Sequence, residues 1–160
     1  ARSCVDTVRR IQDELVATLG EKDKLSLFYG VISRKDYRLK YMNLGGASIF
    51  YAGPKKEFQE LKSQGPQLTR LSEPLSGGQG EVALEPEGRL VVLSDGFVEA
   101  VGGPGRMNEL LNRFRDQDAN DALNEMVFAV KAAFSEPDDM PVQDCTAVVF
   151  DVDSRLIRLA

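Results

Sequence analysis

The feature that most constrains the fold is a pair of strand-like segments separated by a short polar turn. Residues 25–33 (LSLFYGVIS) and 38–44 (RLKYMNL) are rich in β-branched and aromatic residues, and a polar Arg-Lys-Asp turn at 34–36 lies between them. A connection this short joins antiparallel strands, because parallel strands need a crossover of a dozen or more residues. The pattern predicts a β-hairpin and argues against a doubly wound parallel sheet.

Helical patterns occur before the hairpin and in the second half of the chain. Residues 3–19 carry apolar side chains at helical spacing, and Gly20 follows where a C-cap glycine is typical. Two more helices are predicted, one around Met107 to Phe114 and one, capped by Asn120, around residues 123–134.

Extended segments make up most of the remaining chain. The strands predicted after the hairpin span residues 48–52, 58–61, 81–85, 89–94, 146–152 and 155–159. The run RLVVLS at 89–94 and the run TAVVFDV at 146–152 are apolar enough to be buried strands. The order of elements predicts an α+β fold, with helices packed on antiparallel sheet, and 160 residues suit a single domain.

The composition excludes several kinds of chemistry. The chain has no histidine, which excludes a Ser-His-Asp triad, a Cys-His pair and a histidine-ligated zinc. A metal site in this chain must therefore use carboxylates, which select hard ions such as Mg²⁺ or Mn²⁺.

Charge, hydropathy and cysteine content limit the classes of binding partner and the cellular compartment that we expect. The net charge is −5 and no basic stripe stands out, which argues against nucleic-acid binding. No apolar run approaches the ~20 residues of a membrane span, so no membrane segment is expected. Cys4 and Cys145 lie far apart and form no CxxC motif, so we expect reduced thiols in a cytoplasmic protein.

Acidic residues lie beside both apolar strands. Asp95 and Gly96 follow the strand at 89–94, where a carboxylate on a rigid strand end is well placed to hold a metal ion. Gln143 and Asp144 precede the strand at 146–152 and are expected to face the same end of the sheet. The alternatives are an ordinary Asp-Gly turn and a polar strand start. The Asp pair at 138–139 is expected to be a solvated loop.

Glycines form a second group of candidates. Gly45 and Gly46 separate two predicted strands, where they either let the backbone approach a phosphate or a partner strand, or form a bulge or tight bend. The glycine-rich stretches at 77–80 and 102–105 match neither nucleotide-binding loop pattern.

Three motifs in order resemble one family. The run LFYGVISRKDYRLKYMNLGGASIFYAG (27–53) resembles a strand-turn-strand stretch of the bacterial SpoIIE-like branch of the PPM-type (metal-dependent, type 2C) protein phosphatases. GRLVVLSDGFVEA (88–100) is similar to that branch's GDxLLLYSDGxxEA stretch, and DCTAVV (144–149) to its closing DDxTxVV strand. The resemblance covers about residues 5–152.

The resemblance implies a fold, a reaction and a site. The implied fold has two packed antiparallel sheets flanked by helices, an αββα sandwich. The implied reaction is hydrolysis of phosphoserine or phosphothreonine on a protein by a hydroxide that two Mn²⁺ or Mg²⁺ ions activate. Asp95 and Asp144 would then be metal ligands, with Gly96 as a tight-turn partner and Gln143, Gly45 and Gly46 near the site.

The sequence departs from the family pattern at two points. Gln143 stands where the family usually has the metal-binding first Asp of the closing pair, and a neutral amide is a poor ligand for a hard divalent ion. The family's first acidic motif, a Gly-Asp on an early strand, has no match, so we expect residues 1–160 to be a domain without its first strands.

Three functions remain open at this stage. The first is a phosphatase of bacterial signalling that dephosphorylates a small regulatory phosphoprotein. The second is an inactive pseudophosphatase that binds a regulatory protein partner. The third is a dimerisation domain, in which a helix face packs on a second copy of the chain.

Overall fold

The structure is a computed structural model that describes residues 3–134, 141 and 143–153. The Asp pair at 138–139 and the strand expected at 155–159 lie outside these residues. The chain divides into two compact units, one formed by residues 1–47 and 62–84 and the other by 48–61 and 85–160. The sheets and the order of elements confirm the expected α+β class with two antiparallel sheets.

The first unit holds the hairpin that the sequence predicts. Strand β1 (Leu27–Ser33) pairs antiparallel with β2 (Arg38–Leu44), and a further strand, Gly80–Ala83, pairs with the other edge of β2. Helix α1 (Cys4–Val16) packs on this sheet, and its buried Cys4 and Val8 contact an apolar cluster that includes Met42, Leu44 and Leu68.

The first helix ends earlier than its spacing suggests. It stops at Val16 with Ala17 as the C-cap, so the C-cap role expected for Gly20 is wrong. The Gly20 N–H instead donates to the carboxylate of Asp23 at 2.8 Å. At the other end Ser3 is the N-cap, because its hydroxyl accepts the N–H of Asp6 at 3.1 Å.

The second unit holds a four-stranded antiparallel sheet. Numbered in chain order, its strands are β3 (Ser48–Ala52), β4 (Gln59–Glu60), β6 (Arg89–Leu93) and β7 (Ala147–Asp151), and Gly80–Ala83 of the first unit is β5. The order across the sheet is β4-β3-β6-β7. The burial predicted for β6 is confirmed, and β6 is a central strand of this sheet. The burial expected for β7 is wrong, because among the described strands β7 is at the sheet edge and Val148 is 42% exposed.

Three helices cover this sheet. They are α2 (Asp95–Ala100), α3 (Pro104–Arg113) and α4 (Ala119–Ala132). Their buried residues, among them Phe97, Met107 and Met126, form one core with Phe50 and Val91 of the sheet. This core fixes the position of the segment that follows β6.

Two expectations about these helices need correction. Asp95 and Gly96 begin α2 and do not form an isolated turn, because the chain continues directly from β6 into helix. The N-cap of α4 is Asp118, not Asn120: the Asp118 carboxylate accepts the N–H groups of Asn120 (2.9 Å) and Asp121 (3.0 Å).

An ion pair closes one end of the β6–β7 ladder. The guanidinium of Arg89, whose side chain is only 10% exposed, donates to both carboxylate oxygens of Asp151, at 2.6 and 3.0 Å. It also donates to the carbonyl oxygens of Arg115 (3.4 Å) and Gln117 (2.7 Å). Each of the three nitrogen atoms of this nearly buried cation therefore donates at least one hydrogen bond.

No helix within the described part of the chain is long and apolar enough to cross a membrane.

Candidate functional site

The opposite end of the β6–β7 ladder carries the acidic candidates. The register pairs Leu93 with Ala147, so the chain leaving β6 and the chain entering β7 run side by side. Asp95 lies in the first turn of α2, where the helix dipole favours a negative charge. Asp144 lies three residues before β7 and is exposed. The two backbone segments that carry these carboxylates meet here, as the sequence predicts.

Gly96 allows these two segments to approach closely. A Cβ atom at position 96 would lie 2.6 Å from the carbonyl oxygen of Asp144 and 2.8 Å from the Cβ of Gln143. Real Cβ atoms do not approach backbone oxygens so closely, so only glycine fits without a shift of the 143–144 backbone. Gly96 therefore serves close packing, whereas the sequence suggested a tight turn.

Ser94 joins the same segments through hydrogen bonds. Its hydroxyl donates to the Asp144 carbonyl at 3.0 Å and accepts the Thr146 N–H at 2.9 Å. Its own backbone N–H donates to the Thr146 carbonyl at 3.0 Å. These bonds fix the residues that enter β7 against the start of α2.

Gln143 makes its contact with α2 and so resembles a structural group more than a ligand. Its amide Nε2 donates to the Glu99 carboxylate at 3.2 Å. Glu99 lies four residues after Asp95, so both carboxylates project from one face of α2. Glu99 of α2 is therefore a further acidic residue in contact with the segment that precedes β7.

The carboxylates of Asp95 and Asp144 have no hydrogen-bonded or charged partner within the described part of the chain. Among the residues that the structure describes, neither Asp95 nor Asp144 accepts a side-chain hydrogen bond or forms an ion pair. Burial and then the negative charge of Asp144 raise the pKa of the Cys145 thiol, so this thiol is protonated at neutral pH and is a poor metal ligand.

Carboxylates are a suitable type of ligand for a divalent cation, but the described residues bring too few of them together. Carboxylate oxygens are the ligands that Mn²⁺ and Mg²⁺ prefer. Two ions about 4 Å apart need several carboxylates, and within residues 3–134, 141 and 143–153 no group of three or more His, Cys, Asp or Glu side chains has metal-binding geometry. The described residues thus do not by themselves complete a two-ion centre, and the role of Asp95 and Asp144 as metal ligands stays a prediction.

Gly45 and Gly46 lie in the first unit and make their contacts there. Gly45 has a positive φ of 88°, and its N–H donates to the Gly65 carbonyl at 2.9 Å. The Gly46 N–H donates to the Ser26 hydroxyl at 3.1 Å. A tight bend, one of the two readings of this pair, accounts for these contacts, and the place of both glycines near the site stays a prediction.

The sequence assigned no role to Ser94 or Glu99, which the structure brings next to the candidate residues. Ser94 sits beside Asp95, but its bonds are to residues 50 and more positions away in the chain. Glu99 would have been found if residues 95–100 had been predicted as helix, because a four-residue spacing on a helix places it beside Asp95.

Comparisons with known proteins agree with this architecture. The sequence profile of the family described as Stage II sporulation protein E (SpoIIE) matches residues 3–153. No curated protein sequence matches the chain.

Solved structures show the same fold at low sequence identity. The SiaA-PP2C domain of Pseudomonas aeruginosa is 17% identical with a TM-score of 0.73, and the match covers 93% of this chain and 59% of that one. The phosphatase domain of the cell fate determinant SpoIIE from Bacillus subtilis is 13% identical with a TM-score of 0.66, with 99% and 78% covered.

A third solved structure contains metal. The catalytic domain of the serine/threonine protein phosphatase PstP, in complex with two manganese ions, is 12% identical with a TM-score of 0.64, and the match covers 89% of this chain and 66% of that one. The present chain thus spans about three fifths of the SiaA domain and about two thirds of the PstP domain.

Proposed function

Because the chain belongs to the SpoIIE family, we propose that it is the metal-dependent phosphatase domain of a bacterial signalling protein. Its substrate class is phosphoserine or phosphothreonine on a small regulatory phosphoprotein. The domain is placed in the cytoplasm, where unpaired cysteines such as Cys4 and Cys145 persist in the reduced form.

One observation carries the proposal: Asp95 and Asp144 share one end of the β6–β7 ladder, and none of the residues that the structure describes donates a hydrogen bond to their carboxylates or pairs with them. In the proposal these carboxylates hold Mn²⁺ or Mg²⁺, with further ligands from outside this pair. The bound ion would supply a water molecule of lowered pKa as the nucleophile. The contribution of the chain is the placement: α2 orients Asp95, and the residues bonded to Ser94 orient Asp144.

The test is Mn²⁺-dependent phosphate release from a phosphoserine protein by this chain and by Asp95→Asn. Asp13→Asn is the matched control, because Asp13 is an exposed helical carboxylate of the other unit. Where the parent chain releases phosphate, we expect Asp13→Asn to release it equally and Asp95→Asn to lose the release. Equal release by all three proteins would contradict the assignment of Asp95.

A specific contact favours a second function, a pseudophosphatase that binds a protein partner. The side chain at the family's usual ligand position, Gln143, is an amide bonded to Glu99 and carries no negative charge. A ligand that binds only the folded state raises the melting temperature. No phosphate release together with no melting shift at millimolar Mn²⁺ would favour this second function over the enzyme.

A further inference from the structure

Helix α4 carries apolar residues on two opposite faces. Its core-facing residues Ala122, Met126 and Val130 are buried. Phe128 lies two positions from both Met126 and Val130, which is about 200° around the helix, and it is 67% exposed. The neighbouring Val127 is 38% exposed. Because a helix that is apolar all round is normally buried, we expect the outward face of α4 to be covered in solution.

A groove beside Phe128 is lined by α3 and α4. It has a volume of about 650 Å³. On α4 its lining includes Phe128, Ala129 and Ala132, and on the side of α3 it includes Leu110 and the C-cap residue Phe114. An exposed aromatic ring and a groove that can receive one therefore belong to the same surface patch. Such a patch is self-complementary, as a two-fold symmetric contact between two copies requires.

The charges on this face favour a second copy of the chain as the occupant. Glu125 and Lys131 lie three residues before and three residues after Phe128. If two α4 helices pack antiparallel about a two-fold axis at Phe128, Glu125 of one copy comes level with Lys131 of the other, and the pair occurs twice. Neither side chain forms an ion pair with another described residue, so both can pair across such a contact.

We propose that the outward face of α4 is a self-association surface, on which two copies pack antiparallel and Phe128 of each copy enters the groove of the other. This inference does not depend on the proposed function. A contact made by one helix and one groove belongs to the small, transient class of interfaces, so we expect a dissociation constant of about 10–100 µM.

Sedimentation equilibrium of the full chain, between about 1 and 300 µM, measures this constant. Phe128→Ser removes the aromatic ring. Leu71→Ser is the matched control, because Leu71 is an 89% exposed apolar residue of the other unit. Glu125→Lys, Lys131→Glu and the double variant that carries both reversals test the charge pairing.

We expect Phe128→Ser to weaken self-association at least about tenfold, whereas Leu71→Ser should match the parent chain. The urea unfolding midpoint of Phe128→Ser should stay close to that of the parent, because the lost ring is exposed. Each single charge reversal should weaken association about three- to tenfold, because like charges then come level. The double variant restores opposite charges between the copies and should recover most of the parent affinity.

Three results would overturn the proposal. A parent chain that stays monomeric up to about 300 µM would leave the groove to a different protein partner. A parent dimer that Phe128→Ser does not weaken would use another surface. A double variant that associates no more tightly than the single charge reversals would contradict the antiparallel packing about Phe128.

Discussion

The two ends of the β6–β7 ladder carry carboxylates in opposite circumstances. At one end Asp151 pairs in a bidentate arrangement with the nearly buried Arg89. At the other end Asp95 and Asp144 flank the last pair of the ladder, and within the described residues no cation or hydrogen-bond donor engages their side chains. The same ladder thus carries one carboxylate with a cationic partner at one end and two carboxylates without such a partner, among the described residues, at the other.

This difference indicates that Asp151 has a structural role, whereas Asp95 and Asp144 are candidates for a functional one. A buried charge is retained when its partner and hydrogen bonds compensate the loss of water, which Asp151 and two carbonyl groups provide for Arg89. Asp95 and Asp144 have no such partner among the described residues, and carboxylate oxygens are the ligands that a hard divalent ion prefers. Stability should therefore depend on the Arg89 end, and metal binding on the Asp95 end.

The largest expected effect is the loss of the Arg89 guanidinium. Arg89→Met keeps an unbranched apolar stem but leaves the Gln117 and Arg115 carbonyl oxygens and the Asp151 carboxylate without their donor. We expect a loss of roughly 3 kcal/mol in the free energy of unfolding, measured by urea denaturation. A loss below about 1 kcal/mol would mean that this end is not the structural one.

A smaller effect is expected for alanine at Gly96, with Gly105 as its counterpart. Both glycines are the second residue of a helix, α2 or α3. Alanine is favoured over glycine in a helix by about 1 kcal/mol, but at position 96 its Cβ would meet the Asp144 carbonyl, whereas no atom lies within 4 Å of the corresponding position at 105.

We therefore expect opposite signs from these two substitutions. Gly96→Ala should destabilise the chain by roughly 1–3 kcal/mol because the 143–144 backbone must move. Gly105→Ala should stabilise it by about 0.5–1 kcal/mol. Urea unfolding of both variants measures the contrast, and stabilisation by both would show that the acidic segment does not pack against α2 as described.

The smallest expected effect concerns pH at the Arg89 end. Hydrogen bonds from the N–H groups of Asp121 and Asn120 hold the pKa of Asp118 below its usual value of 3.8, with a further contribution from the positive charge of Arg89. A lowered pKa in the folded state means that the stabilisation is complete above pH 3.8 and is lost as the pH falls through the folded-state pKa.

Asp118→Asn isolates this contribution, because asparagine is also a good N-cap and does not titrate. The difference in unfolding free energy between the parent chain and Asp118→Asn should be constant between about pH 5 and 7, and it should change in disfavour of the parent below about pH 4. If the unfolding free energies of the two proteins changed with pH in the same way, the Asp118 carboxylate would not accept the hydrogen bonds that the structure shows.

Local patterns were sufficient to predict most of the fold. The hairpin of β1 and β2 follows from β-branched and aromatic residues around a short turn, and β6 follows from a continuous apolar run. The predictions were wrong where the local structure depends on packing against residues that are distant in the sequence. Helix α2 has only six residues and begins with Asp-Gly, and its stability comes from packing of Phe97 and Val98 in the core.

The sequence predicted that Asp95 and Asp144 lie at one end of the sheet, but it did not predict the hydrogen bonds that join the segments carrying them; their role as metal ligands stays a prediction. Asp95 and Asp144 follow from the chemistry of carboxylates at strand ends, and the resemblance to PPM-type phosphatases gave them a role. The bridge through Ser94 and the contact of Gln143 with Glu99 depend on the pairing of β6 with β7, which joins residues about 50 positions apart. No local pattern in the sequence specifies that register.

The most direct test of the contrast makes the same substitution at both ends of the ladder. Asp95→Asn and Asp151→Asn are each measured for Mn²⁺ affinity and for the free energy of unfolding. We predict that Asp95→Asn loses Mn²⁺ binding with its stability unchanged within about 0.5 kcal/mol. Asp151→Asn should keep Mn²⁺ binding and lose about 1–2 kcal/mol, because a neutral amide replaces the charged partner of Arg89. Retained Mn²⁺ binding in Asp95→Asn would contradict the account.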